Sequence, residues 1–423
     1  MKKKRVVVIG AGFAGYNAVK VLEKDSSLSV TLIDRVNHNV FQPMLYQVAS
    51  GLIPLVNVAV PIRYLIKQKT RFINEKVIAI DFEKKQVICQ HVTSSYDYLI
   101  ICAGSKYHYF SPSWQQHTLC LKTASDALKM KDHVLSKFEK AEIETDPIKK
   151  KQLLTFVIVG GGATGVEICG SLTDLVLSKF ISHFSNISQQ DVHIILIEAG
   201  ERLLPAFREK SSAIAHHDLV NKKAQVKLNE KVKHLSSNTV ETDCSTYQCE
   251  TIIWCVSLVS SLNGIVDSIP TDRSGRIRVN QFLTTDQHPE VYCIGDGSCA
   301  LDDKGDPYPG LASVAKQQGV YAATDIIRRL KSKRRKQFVF KDYGAMAVIS
   351  NHNAIAEFKR SYFHGRWGWY LWGFVHIYFL VNVKNKLSVF FNWMSYYFFN
   401  RPSSLIIIDK SNENNPSDDD DKK

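Results

Sequence analysis

Gly10, Gly12 and Gly15 stand at GxGxxG spacing behind an apolar, β-branched run at residues 6–9, and Asp34 follows 24 residues after the first glycine. These residue types at this spacing fit a dinucleotide. The first glycine permits a tight turn, the second lets a pyrophosphate approach the backbone, and the third lets helix and strand pack closely. The helix that opens there turns free N–H groups and its positive end toward phosphate. An acid closing the next strand, expected at residues 30–33, accepts from ribose hydroxyls. The pattern then recurs. Gly160, Gly161, Gly162, Ala163, Thr164 and Gly165 follow apolar residues 156–159, and residues 192–197 lead into Glu198. Gly160 to Glu198 is 38 residues, longer than the ~20 usual for the motif, so residues 171–191 are expected to lengthen the helix and add a loop. Two such motifs in one chain predict two dinucleotides with electrons passing between them. Glu167 falls in the first turn after the second loop, where the helix dipole favours a carboxylate.

The elements that position these residues read as α/β. Residues 96–103 form a further strand closed by Gly104, and residues 291–296 form another that enters a glycine turn at Gly295 and Asp296. Residues 35–51 have no clear period and read as a loop with an apolar plug. Residues 122–151 are charged and mostly helical, with Pro147 near the end, and read as a connector. The basic run at residues 328–336 fits a solvated loop and a lipid contact about equally.

From residue 367 to 399 the composition changes. Fourteen of the 44 aromatic residues and four of the six Trp lie there. The longest apolar run, residues 369–381, is 13 residues, short of the ~20 that span a bilayer. Asn382, Lys384, Asn385 and Lys386 interrupt it, and Leu387, Phe390, Phe391, Met394 and Phe398 then recur at helical spacing. Two amphipathic helices lying in a membrane interface fit this pattern, with Trp369, Trp372, Phe390, Phe391, Trp393 and Phe398 expected among acyl chains. An ordinary core or dimer interface is the bland alternative.

At 423 residues the chain has room for two or three domains. The 54 Lys and Arg against 41 Asp and Glu give a net charge of +13, which favours an anionic surface. No nucleic-acid motif is present, and the basic residues near aromatics favour anionic lipid over nucleic acid. Nine scattered cysteines point to a reducing compartment and not to a disulfide framework. The short apolar run after the basic start reads as a strand and phosphate loop, so no signal or transit peptide is expected.

Taken together, these motifs resemble the type II NADH:quinone oxidoreductases, single-subunit flavoproteins that do not pump protons. The resemblance covers residues 4–408. It rests on residues 6–15, on the stretch Asn-Val-Phe-Gln-Pro-Met-Leu-Tyr-Gln-Val-Ala at 39–49, on Gly-Gly-Gly-Ala-Thr-Gly-Val-Glu at 160–167 and on Ile-Glu-Ala-Gly-Glu-Arg-Leu-Leu-Pro at 197–205. Further matches are Tyr-Cys-Ile-Gly-Asp at 292–296, Val-Ala-Lys-Gln-Gln-Gly at 314–319 and Val-His-Ile-Tyr-Phe-Leu at 375–380. The 39–49 stretch and the C-terminal aromatic segment are the specific ones.

The resemblance implies two Rossmann-like dinucleotide-binding domains and a C-terminal amphipathic helical region on the membrane. The boundaries it implies are 1–121 and 271–335 for the FAD domain, 122–152 for the connector and 153–270 for the NADH domain. Residues 336–408 would be the membrane region and 409–423 an acidic disordered tail. For FAD it implies Gly10, Gly12, Phe13, Ala14, Gly15, Asp34, Arg35, Gln42, Ala103, Gly104, Gly295 and Asp296. For NADH it implies Gly160, Gly162, Ala163, Thr164, Gly165, Glu167 and Glu198. Pro43, Tyr46, Gln317, Gln318, Lys384 and Lys386 would border the quinone pocket, with either lysine approaching the flavin. Glu167 would act catalytically, gating or relaying protons to quinone, and no metal is expected. Glu198 predicts NADH over NADPH, and Arg202, four residues on, could soften that preference. The implied partners are NADH, a membrane quinone, an anionic bilayer and a second copy of the chain. The implied place is the cytoplasmic face of the inner membrane.

Two departures stand out. The family's glycine turn after Ile-Trp is replaced by Cys255, Val256 and Ser257, and Ser313 stands where many members have Gln. A disulfide reductase is disfavoured because Cys244 and Cys249 lie far from the first glycine helix. A sulfide:quinone oxidoreductase would need reactive thiols at the flavin, whereas Cys102 and Cys293 fall in strands. A membrane-docked flavin or NADH sensor without catalysis is the rival of another class.

Overall fold

The structure is a computed structural model that describes residues 3–262, 264–266 and 268–408. The tail expected at 409–423 lies outside the described residues. The chain divides into two compact units. The first comprises Met1–Val40, Ala59–His108 and Ser257–Tyr343, and the second Phe41–Val58, Tyr109–Val256 and Gly344–Lys423.

In the first unit the apolar run becomes strand Lys4–Ile9. It pairs in parallel with Leu28–Asp34 and with Tyr98–Ile101, and the sheet extends to Arg71–Asn74 on one side and Val291–Cys293 on the other. Both faces of the first strand are covered, which is why it reads as a continuous apolar run and not an alternating one. Val6 and Val8 belong to the core under helices Phe13–Leu22 and Ala312–Leu330, and Val7 and Ile9 to the core on the opposite face. The two helices meet at Gly319, where a Cβ would stand 2.1 Å from the Ala14 carbonyl oxygen. Any side chain there would force them apart.

In the second unit strand Thr155–Val159 is flanked in parallel by His193–Ile197 and Thr251–Trp254, with Gln225–Lys227 outermost. Helix Ala163–Leu177 follows the second glycine loop, then a short 3-10 turn at Ile181–His183, so the extra length before Glu198 is helix plus loop as expected. The stretch read as a connector packs into this unit. Helix Ala124–Ile143 opens on a reciprocal capping box between Thr123 and Asp126, and its Phe138 stacks on Phe156 of the sheet. Pro147 does not end this helix. It is the first residue of the next, Pro147–Leu153, capped by Asp146, the position where its missing N–H costs nothing.

The segment read as a plugged loop is ordered. It forms strand His38–Val40, a 3-10 turn at Gln42–Met44 and helix Leu45–Ala49. The C-terminal region adds strands Ala345–Ser350 and Asn353–Glu357, then helices Gly365–Phe379 and Val383–Phe399. The two helices are those expected, broken where Asn382 caps the second through Lys384 N–H at 3.0 Å. Among the described residues no helix is long and apolar enough to cross a membrane.

Candidate active site

The same device is built twice, once in each unit. In the first, Gly10 takes φ +97°, and a Cβ on Gly15 would stand 1.8 Å from the Gly10 carbonyl oxygen. The Asp34 carboxylate accepts from Ala11 N–H at 2.6 Å and from Val36 N–H at 3.0 Å. In the second, Gly160 takes φ +108°, and a Cβ on Gly165 would stand 1.8 Å from the Gly160 carbonyl oxygen. The Glu198 carboxylate accepts from Gly161 N–H at 2.6 Å and from Gly200 N–H at 2.7 Å. In both, the acid at the strand end is tied to the middle residue of the glycine turn. Gly12 and Gly162 open the two helices without a side-chain cap, and nothing lies within 4 Å of the place a Cβ would take on either. An uncapped helix N-terminus with open ground before it fits a pyrophosphate.

Other residues converge on the first loop. The Cys102 carbonyl oxygen lies 2.2 Å from where a Cβ on Gly10 would stand, so Gly10 is required for the approach of this strand end. The Cys102 thiol donates to the Ile9 carbonyl at 2.8 Å. Burial pushes the Cys102 thiol up, and the Cys293 thiol likewise. Both are packing residues and not nucleophiles, since reactivity belongs to the thiolate. Gly104 adopts φ +74°, and Ser105 just after it donates to the Asp296 carboxylate at 2.8 Å. Arg35 is exposed. Burial raises the Asp34 carboxyl, opposed by the backbone donors of Val36 and Ala11.

Gln317 and Gln318 were expected at the quinone pocket, and their amides are turned to backbone. Gln318 is buried and accepts from Gly295 N–H at 2.6 Å, holding the turn that presents Asp296. Gln317 exchanges two hydrogen bonds of 2.9 Å with the backbone of Lys341.

In the second unit, Glu167 is not in the first helical turn but is the fifth residue of its helix, so it does not cap it. Burial raises its carboxyl to about 8, offset in part by Val348 N–H, which donates to it at 3.4 Å. At neutral pH it therefore holds a proton. Arg202 donates to the carbonyls of Phe207 and Pro205, each at 2.8 Å, and to the Ser212 hydroxyl at 2.9 Å. Its guanidinium is held by Phe207, Pro205 and Ser212, on the chain that follows Glu198. Where the family's glycine turn is missing, Ser257 takes the left-handed conformation at φ +57°.

The segment Phe41–Val58 faces the C-terminal helices within the second unit. Gln42 donates to the Lys122 carbonyl at 3.3 Å, and Pro43 opens the 3-10 turn beside it. Tyr46 is buried and lies against Trp372 with ring centroids 6.4 Å apart. Gln47, which the sequence did not single out, donates to the Tyr46 hydroxyl at 3.0 Å and accepts from Trp393 Nε1–H at 2.8 Å. The available signal was a polar residue inside an apolar stretch. Lys386 donates to the Tyr378 carbonyl at 2.8 Å, while Lys384 is exposed. Trp372 and Trp393 are buried inside the protein, contrary to the expectation that they face lipid. They pack on each other at 5.4 Å and fill the space beneath the helix pair. Among the described residues no group of His, Cys, Asp or Glu is arranged to hold a metal ion.

Residues 4–319 match the pyridine nucleotide-disulphide oxidoreductase family, and residues 343–402 match the NDH2 C-terminal domain. The chain is 31% identical to the type II NADH:quinone oxidoreductase NdhA of Mycobacterium tuberculosis, over 92% of this chain and 86% of that protein. It is 26% identical to the type II NADH:quinone oxidoreductase of Staphylococcus haemolyticus, over 84% and 89% of the two chains. The fold superposes on NDH2 of Plasmodium falciparum, solved in complex with NADH, with a TM-score of 0.87 at 21% identity, covering 95% of this chain and 99% of that one. The sulfide:quinone oxidoreductase of Aquifex aeolicus shares the fold at a TM-score of 0.71 and 17% identity, over 94% and 96% of the two chains. The chain belongs to the type II NADH:quinone oxidoreductases, FAD enzymes that pass electrons from NADH to a quinone.

Proposed function

We propose that the loop at residues 10–15 holds FAD, that the loop at residues 160–165 holds NADH, and that a lipid-soluble quinone is reduced beside Tyr46 on a protein docked at a membrane by its two C-terminal helices. The observation that carries this reading is the duplicated device, in which an acid closing a strand is tied to the middle of an uncapped glycine turn. FAD in the first loop supplies the two-electron chemistry that accepts hydride and passes electrons on. The protein's own residues bind, orient and supply protons. N–H groups at Gly12, Phe13 and Ala14 face the pyrophosphate, with Gly15 setting the helix against the strand. Asp34 reads the adenosine ribose, with Arg35 flanking it. Ala103, Gly104, Gly295 and Asp296 border the remainder of the flavin nucleotide, with Ser105 and Gln318 as positioning residues for Asp296. Gln42 and Pro43 lead the chain toward Tyr46. Gly160, Gly162, Ala163, Thr164 and Gly165 receive the second pyrophosphate, and Glu198 its ribose. Glu167 holds the proton that quinone reduction consumes.

The nine free cysteines, Cys244 among them exposed, fit the reducing cytoplasmic side, where NADH is made. The exposed aromatic face of the C-terminal helices fits lipid better than a second copy of the chain. It is lined along two helices by scattered Trp, Tyr and Lys, the mixture found at membrane interfaces.

Two measurements test the cofactor assignments. Denatured protein should release FAD, and release of FMN alone would overturn the role given to Asp34 and the first loop. The ratio of kcat/KM should favour NADH over NADPH, because Glu198 accepts from a 2′-hydroxyl and repels a 2′-phosphate, and because Arg202 is engaged with Phe207, Pro205 and Ser212. Glu198→Ser should narrow that ratio. Equal use of the two nucleotides by the unaltered protein would refute the role of Glu198.

A further inference from the structure

Reduction of a quinone by NADH takes up one proton from solution: NADH, H⁺ and quinone give NAD⁺ and quinol. A protein that binds its quinone against a membrane therefore needs a path for that proton from the aqueous side. The second unit contains a cavity of about 40 Å³ between Tyr46 and Gln47 on one wall, Ser171 and Asp174 on another, and Ser350 and Tyr396 on the rest. Apolar groups, Leu52, Leu175, Trp369 and Trp393 among them, supply more of the lining than these polar ones, and the volume exceeds the about 10–15 Å³ that a water with polar partners needs.

Asp174 lies on the same helix as Glu167, seven residues and about two turns further on, hence on the same face. One carboxylate oxygen of Asp174 pairs with the Lys222 ammonium at 2.7 Å, and the other accepts from Asn351 N–H. Its side chain keeps 13% of its surface exposed, and the cavity it lines is open to the surface. Lys222, Asp218, Cys169, His352, Tyr46 and Tyr396 are titratable groups near it. Asp218 accepts from the Ser350 hydroxyl, Lys222 acts on His352, and Asp174 acts on Tyr46 and Tyr396. Burial raises the Tyr46 hydroxyl well above its usual range, and Glu167 and Asp174 add to this when ionised. That hydroxyl accepts from Gln47, and its own hydrogen remains for another acceptor.

We propose that Asp174 takes up the solution proton and that the cavity water and the Tyr46 hydroxyl carry it to Glu167, the donor to the quinone oxygen. Glu167 gives its carboxyl proton to that oxygen as the two electrons arrive and takes one from the Tyr46 hydroxyl, which takes one from the cavity water. The water takes one from Asp174, and Asp174 takes one from solvent. One solution proton is consumed and no side chain ends with a changed charge. The inference rests on the reading that the quinone lies beside Tyr46.

The test uses the FAD-loaded, vesicle-bound enzyme, with flavin reduction by NADH and reoxidation by quinone followed separately, and proton uptake followed with a pH indicator dye. Asp174→Asn should slow reoxidation by quinone and the matching proton uptake about tenfold, raise the solvent deuterium isotope effect, and recover at least half of the loss when azide is added as a small proton carrier. Ser171→Leu, which fills the cavity and leaves Asp174 intact, should reproduce the slowing. Quinone reoxidation at the unaltered rate in both variants overturns the proposal. So does a slow Asp174→Asn that azide does not rescue beside an unaffected Ser171→Leu, which would make Asp174 and Lys222 a structural pair. Tyr46→Phe separates the two readings. If it leaves the quinone KM and turnover unchanged, the quinone is not beside Tyr46. If it slows turnover while Asp174→Asn does not, only the proton route fails.

Discussion

Glu167→Gln is expected to lower turnover with quinone at pH 7 by about a hundredfold, the lower end of what a positioned general acid contributes, while flavin reduction by NADH stays within a factor of two. The folded carboxyl ionises near pH 8 and the free group near 4.5, so it carries its proton across the neutral range and loses it as pH rises through about 8. Quinone turnover of the unaltered protein should fall along that limb, and the variant should lack it. The stability effect has the opposite sign. Between pH 4.5 and 8 the unfolded chain ionises this carboxyl while the native state keeps it protonated, so stability falls progressively across that window, and the neutral amide removes the loss. At pH 8 the variant should therefore melt no lower than the unaltered protein, so a lost turnover cannot be ascribed to unfolding. Stopped-flow resolves the two half-reactions, and an unchanged quinone half-reaction would leave Glu167 as a packing residue against Val348.

The second large effect concerns the membrane. Trp367, Phe374, Phe391 and Phe398 are 76%, 71%, 64% and 72% exposed. A fully buried large apolar side chain is worth ~1.5–3 kcal/mol, so half-burial of four gives roughly 3–6 kcal/mol of docking. Replacing all four with Ser should weaken binding to vesicles by about 10²–10⁴-fold, at ~1.4 kcal/mol per factor of ten. Trp372 and Trp393 remain beneath them, so the helix pair keeps its packing. Exposed Lys384 adds roughly 1 kcal/mol near anionic lipid, a contribution that salt weakens. Sedimentation with anionic liposomes reads the result. If the intact protein stays in the supernatant at low salt and sediments in solution as a dimer, the aromatic face belongs to a second copy.

The parts of this molecule that were legible in sequence are those where chemistry demands a residue type at a fixed spacing. Gly10, Gly15 and Gly165 permit backbone approaches that any Cβ would block, Gly160 supplies a positive φ at its turn, and Asp34 and Glu198 must end their strands to reach the turns. The segment around Tyr46 was opaque for the opposite reason. All five residues of helix Leu45–Ala49 are buried, so no polar face marks the period. Trp372 and Trp393 misled because composition counts aromatics without saying which side of a helix they occupy. Hydrogen-bond partners were equally invisible. Nothing in the sequence tells that Gln318 turns to Gly295, or that Arg202 spends its donors on Phe207, Pro205 and Ser212. At Ser257 the sequence flagged a missing glycine, and the structure keeps the left-handed turn with a serine, a conformation that costs a non-glycine residue roughly 1–2 kcal/mol.

The most direct test is NADH oxidation by the FAD-loaded protein on vesicles, with and without a long-tailed quinone. Oxidation should depend on the quinone and produce one quinol for each NADH consumed. Binding of NADH with flavin reduction but no transfer to quinone would contradict the account and leave a membrane-docked nucleotide sensor.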